Sequence, residues 1–109
     1  MKLNTLTDSE LLKSFREASN LVEQVATAMS EQSLNPPAPA PALTEESSSR
    51  DWYQACVWIT ACATRATKIA NDEIVSGNAA YGASCISVRD TALRAERELQ
   101  EIQRRLSKI

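Results

Sequence analysis

Trp52-Tyr53-Gln54-Ala55-Cys56-Val57-Trp58-Ile59-Thr60-Ala61-Cys62-Ala63 decides the fold. Both tryptophans of the chain lie here, with one of its two tyrosines and two of its three cysteines. The stretch contains no glycine or proline, and as a helix it is apolar on nearly every side. Such a helix is buried, in a core or against a partner. Two seams overlap on it: Trp52, Cys56, Ile59, Ala63, Ala66, Ala70, and Trp52, Ala55, Ile59, Cys62, Ala66, Ile69. Together they make a stripe wide enough for two neighbouring helices. Tyr53, Val57 and Ala61 add a third line at i, i+4, i+8, and Trp58 lies toward the Ala55–Cys62 side. After Thr64 the polar face returns with Arg65, Lys68, Asn71, Asp72 and Glu73. This helix is expected over about 50–75, capped by Ser48 or Ser49, with Asp51 in its first turn.

Toward the C-terminus, Ser76-Gly77-Asn78 is a tight break. Gly77 suits the left-handed position that closes a helix, and Asn78 suits the cap of the next. A third helix is expected over about 79–107. Its seam is Tyr81, Cys85, Val88, Ala92, Ala95, Leu99, Ile102, Leu106 and Ile109, with steps of 4 and 3 in alternation. Gly82 costs about 1 kcal/mol inside a helix, which would allow a start at Ser84 instead. The loop is so short that the two helices form an antiparallel hairpin. Counting outward from the turn pairs Ala70 with Cys85, Ala63 with Ala92, and Cys56 with Leu99. Small residues face each other near the turn, so the axes approach closely there and splay toward Trp52.

Toward the N-terminus, Thr7-Asp8-Ser9-Glu10 reads as a capping box. Leu11, Phe15, Ala18, Val22, Val25 and Met29 follow as a heptad seam, widened by Leu12, Leu21 and Ala26. The first helix is expected over about 8–32. Residues 34–49 are a linker: Asn35-Pro36-Pro37-Ala38-Pro39-Ala40-Pro41 ends the helix, and the polar run Thr44–Ser49 follows. The first helix would be about 40 Å long, and fifteen extended residues span about 45 Å. The chain can therefore run back along helix 1, turn loosely antiparallel, or hand helix 1 to another subunit. In this reading the linker is a passive spacer. Its PxxP spacing at Pro36 and Pro39 has no flanking arginine.

The architecture expected is thus all-α: one domain, a three-helix, coiled-coil-like bundle built on the helix 2–helix 3 hairpin. A chain of 109 residues can bury a modest core without metals or disulfides. The formal net charge of −2 gives no strong pull toward nucleic acid or anionic membrane. There is no histidine, the commonest general base and metal ligand. The two glycines leave no material for a phosphate-cradling loop. Cys56, Cys62 and Cys85 form no CxxC pair. Cys56 and Cys62 lie about 120° apart on one helix and cannot bridge, so they read as small buried hydrophobes in a reducing compartment. No secretory signal or spanning segment is visible, which places the chain in the cytoplasm. The adjacent carboxylates Glu45-Glu46 and Asp72-Glu73 do not converge across a pocket and read as solvated.

No catalytic, cofactor-binding or metal-binding residues are expected, and no small-molecule substrate. The sharpest functional signal is aromatic. In a three-helix bundle the second helix should keep one polar face, and its first half does not. Trp52, Tyr53, Val57, Trp58 and Ala61 are therefore the candidate partner-binding residues, with Trp52 also a core residue. The competing reading folds Leu34 and Leu43 of the linker over these rings. The expected function is a non-enzymatic protein–protein interaction module of adaptor, chaperone, immunity or inhibitor type, acting on a protein partner or by self-association. The alternative is a small nucleic-acid-associated regulator using Arg89, Arg94, Arg97, Arg104, Arg105 and Lys108.

Overall fold

The computed structural model describes residues 8–44, 47 and 49–107. They form three helices, α1 (Asp8–Glu31), α2 (Ser49–Val75) and α3 (Ala79–Ser107), in a bundle 54 × 21 × 20 Å. The expected capping box rests on Thr7, and one of the two expected caps of α2 is Ser48. Both positions lie outside the described residues, as does Lys108.

The seams become one continuous core. Phe15, Ala18, Val22, Val25 and Met29 of α1 are buried, with Leu21 beside them. The α3 seam from Cys85 to Leu106 is buried at every position. On α2 both overlapping seams are covered because each has its own neighbour. The Cys56–Ala63–Ala70 side faces α3: the Cys56 thiol donates to Gln103 Oε1 at 3.3 Å. On the Ala55–Trp58–Cys62 side, Trp58 meets the linker. Ile59, Cys62, Leu99, Val25, Met29 and Cys85 are the largest side chains with no appreciable exposure.

The two helix ends use the same device. At the end of α2, Gly77 takes φ +90°, its N–H donates to the Ile74 carbonyl (3.1 Å), and the Asn78 N–H donates to Glu73 (2.8 Å). This pair of bonds is a Schellman motif. Asn78 also starts α3, its carbonyl accepting from the Gly82 N–H at 3.0 Å. At the end of α1 the same motif forms around Ser33 at φ +55°, with Ser33 N–H on Ser30 O (3.0 Å) and Leu34 N–H on Met29 O (2.8 Å). Serine in the left-handed region is costly. Leu34 and Met29 are both buried, which offsets that cost with an apolar seat at the motif's usual hydrophobic positions.

Gly82 does not delay α3, which starts at Ala79. The reason is a close approach. A Cβ on Gly82 would lie 2.5 Å from Ile74 Cγ1 and 3.1 Å from the Ala70 carbonyl oxygen. The small-residue end of the hairpin is therefore tight enough to require glycine. Gly82→Ala should gain helix propensity yet lose about 1–2 kcal/mol overall, because backbone at Ala70 and the stem of Ile74 must both move. A urea melt showing a net gain would mean that the two helices part freely.

Three contacts settle the topology. The Phe15 and Trp52 rings, near the starts of α1 and α2, lie 5.4 Å apart at an interplanar angle of 53°. The Tyr81 hydroxyl, at the start of α3, donates to the Gln32 carbonyl at the end of α1 (2.7 Å). Arg105, at the end of α3, reaches Glu17 of α1 (3.2 Å). Hence α1 and α2 run parallel, and α3 runs antiparallel to both. The linker makes the return trip along α1, and it is not a passive spacer. Leu34 and Leu43 are buried, the Ala38 carbonyl accepts from Trp58 Nε1 (2.8 Å), and the Leu43 carbonyl accepts from Ser19 Oγ (3.2 Å). The segment is a strap bridging α1 and α2, the two helices that touch each other least.

Candidate functional site

The candidate aromatic residues do not form one surface. Trp52 is buried against Phe15 and belongs to the core. Trp58 is also buried, 5 % exposed, because the strap lies over its ring and takes its N–H. A tryptophan standing free beside the core is thus replaced by one that is covered in cis, with Leu34 and Leu43 as the strap's anchors. Ala61 is half-buried. Tyr53 and Val57 are open, at 63 % and 43 % exposure.

Those two residues begin a line different from the one through Ala61. Tyr53, Val57, Thr60, Thr64, Thr67 and Asn71 follow steps of 4, 3, 4, 3, 4, a third heptad seam on α2. Across it on α3 stands Leu93, 39 % exposed. Between the helices runs an open groove lined by Thr60, Thr64, Thr67, Leu93, Lys68 and Arg89, with Ala63 and Asn71. The threonines are less polar here than in the sequence. Thr60 Oγ donates to the Cys56 carbonyl (3.0 Å), Thr64 Oγ to Thr60 (3.0 Å) and Thr67 Oγ to Ala63 (2.8 Å). Each hydroxyl is satisfied by its own helix, so the wall contributes methyl groups rather than donors in search of partners. Counting threonine as polar hides this seam. Its spacing is the one signal in the sequence that reveals it.

The arginines named for nucleic acid do not gather on one face. Arg89 lines the α2 side of α3 and holds the Asp90 carboxylate at 2.9 Å. Arg94 and Arg105 line the α1 side, Arg94 with Glu23 and Glu31, and Arg105 paired with Glu17. Arg104 pairs with Glu101 one turn away. Arg97 is exposed. Phosphate tracking needs several cations on one path with few competing carboxylates; Arg89 lies on a different side of α3 from Arg94 and Arg105, and carboxylates stand among them.

The Cys62 and Cys85 thiols are buried in the core, and Cys56 is half-buried against it. Burial pushes the Cys62 thiol up to about 11, against some lowering by Arg65. Burial, then the nearby Glu96 carboxylate, raises Cys56; burial, above all, raises Cys85. A raised thiol keeps its proton in the fold after the unfolded chain has lost it. Stability is therefore unaffected below about pH 9 and falls as pH rises through the window from about 9 to 11. For Cys62 the loss should reach about 2 kcal/mol by pH 11. Urea midpoints across that range, compared with Cys62→Ala, check it; an equal fall in the variant would assign the effect to other groups.

Among the described residues, no group of three or more Cys, Asp or Glu side chains is placed to hold a metal ion, and no helix is long and apolar enough to cross a membrane. Comparison of the chain with protein-family models, curated proteins and solved structures yields no match.

Proposed function

We propose that this bundle is a non-enzymatic protein–protein interaction module whose contact surface is the outer seam of α2 with Leu93 of α3. One observation carries the reading. The core of the bundle is closed, the strap covers Trp58, and yet Tyr53, Val57 and Leu93 stand open on one side. Tyrosine with a rigid apolar body and a polar tip is enriched where proteins bind one another. A heptad seam left without a partner is the geometry by which helices recognise helices. The module would act by masking or scaffolding what it binds, and binding need not disturb the core beneath.

Tyr53→Ser and Val57→Asp test this directly. Both positions are exposed and neither belongs to the buried core, so the urea midpoint should shift by no more than about 0.5 kcal/mol. Association with the partner retained by the unaltered chain, whether another protein or a second copy, should weaken by about 2 kcal/mol or more. The measurement is quantitative pull-down from the native cell together with light scattering. Equal retention by the variant chains would remove this surface from consideration.

A further inference from the structure

The groove itself restricts what can fill it, and this step rests on the interaction reading above. We infer that the occupant is an amphipathic helix from a partner protein, about five turns long, with an apolar heptad stripe and carboxylates beside one half of it. The spacing calls for a helix. Tyr53 to Asn71 is a 4-3-4-3-4 seam, the register into which the knobs of a second helix fit, and it runs about 27 Å. A helix lying between α2 and α3 would continue the packing that those helices already use.

The shape fixes where its bulk lies. The seam is bulky at one end, at Tyr53, and lower along Val57, Thr60, Thr64 and Thr67, the threonine hydroxyls being turned into their own helix. The occupant is therefore bulky over the threonines and Leu93, and small over Tyr53. The charge fixes its chemistry. Along the threonine half, the charged residues lining the groove are cations, Lys68 and Arg89. Arg89 is partly neutralised by Asp90, whereas Lys68 forms no ion pair among the described residues and is exposed. A carboxylate beside the bulky half of the incoming helix meets Lys68 across an apolar contact, and a lysine there is repelled. Such rim complementarity selects partners and speeds encounter.

The experiment uses the full chain as bait for a phage-displayed library of 18-residue helices, randomised on one face and its flanks. Enriched peptides should carry leucine, isoleucine or methionine in one half of the stripe, small residues in the other, and Asp or Glu beside the bulky half. For a selected peptide, Val57→Asp and Lys68→Glu should each weaken binding at least tenfold at low salt. The Lys68→Glu loss should shrink as salt rises. Enrichment without an acidic bias and with Lys68→Glu indifferent would overturn the inference, while the interaction surface stands if Val57→Asp still abolishes binding. Peptides insensitive to Val57→Asp, or no enrichment at all, would overturn both. A dimer of the chain that Val57→Asp dissociates would show that a second copy fills the seam, and would overturn the acidic helix.

Discussion

Trp58→Ala is expected to cost about 3–5 kcal/mol of folding stability, the same class of loss as Trp52→Ala. The two rings reach burial by different routes. Trp52 sits where both α2 seams meet and packs on Phe15 at a tilt. Trp58 lies on the flank of α2, and its cover is the strap, whose Ala38 carbonyl also takes its N–H at 2.8 Å. Truncation at either position removes a large apolar surface and leaves a cavity that a helix backbone cannot close. At Trp58 it also orphans one carbonyl, although Ala38 is itself exposed and water can replace that bond. Trp58→Phe separates the two contributions: it keeps most of the ring and gives up the hydrogen bond, so it should cost only about 1–2 kcal/mol. A domain of this size has a stability of about 5–15 kcal/mol, so either alanine variant can bring the chain close to unfolding. Urea melts of the three variants decide the matter. A Trp58→Ala protein within about 0.5 kcal/mol of the parent, beside a collapsed Trp52→Ala protein, would mean that the strap stands away from the indole in solution.

Where period and spacing carry the information, the structure follows the sequence closely. The α3 seam from Cys85 to Leu106 is buried at each step, and the hairpin turns at Gly77 with the left-handed residue where it was needed. The path of the linker was not legible for a physical reason. Leu34 and Leu43 are single apolar residues on either side of a proline run; they have no periodicity, and loop closure is tolerant of length. Nothing local distinguishes a strap from a spacer. That uncertainty propagated to Trp58, because a ring on the flank of a helix looks the same whether a partner or the chain itself covers it. The threonine seam was hidden by a different cause: hydropathy assigns the hydroxyl to solvent, whereas in a helix it can return to the carbonyl four residues back. At Ser33 the α1 terminus uses a left-handed serine where glycine is the usual signal, so that stop was readable only from the prolines after it.

The strap's stability should reside more in its two leucines than in its prolines. Pro36, Pro37 and Pro39 are exposed, and Pro41 is half-buried. Leu34 and Leu43 are 4 % and 8 % exposed. Leu34→Ala and Leu43→Ala are each expected to cost about 2–3 kcal/mol, the lower part of the range for buried leucine because both sit at the margin of the core. Each anchor has its own tether: Leu34 is held by the Schellman bond to Met29, and the Leu43 carbonyl by Ser19 Oγ. Eight residues lie between them and their tethers differ, so the double variant should lose about 4–6 kcal/mol, close to the sum. Replacing residues 36–41 with Gly/Ser of equal length should cost about 2 kcal/mol. Most of that loss comes from the greater freedom of the unfolded chain, and a little from poorer cover over Trp58. Urea unfolding followed by tryptophan emission reports both effects, since a lifted strap wets Trp58 before the core opens. If the proline replacement costs more than the double leucine variant, the stiffness of the strap, and not its anchors, holds α1 parallel to α2.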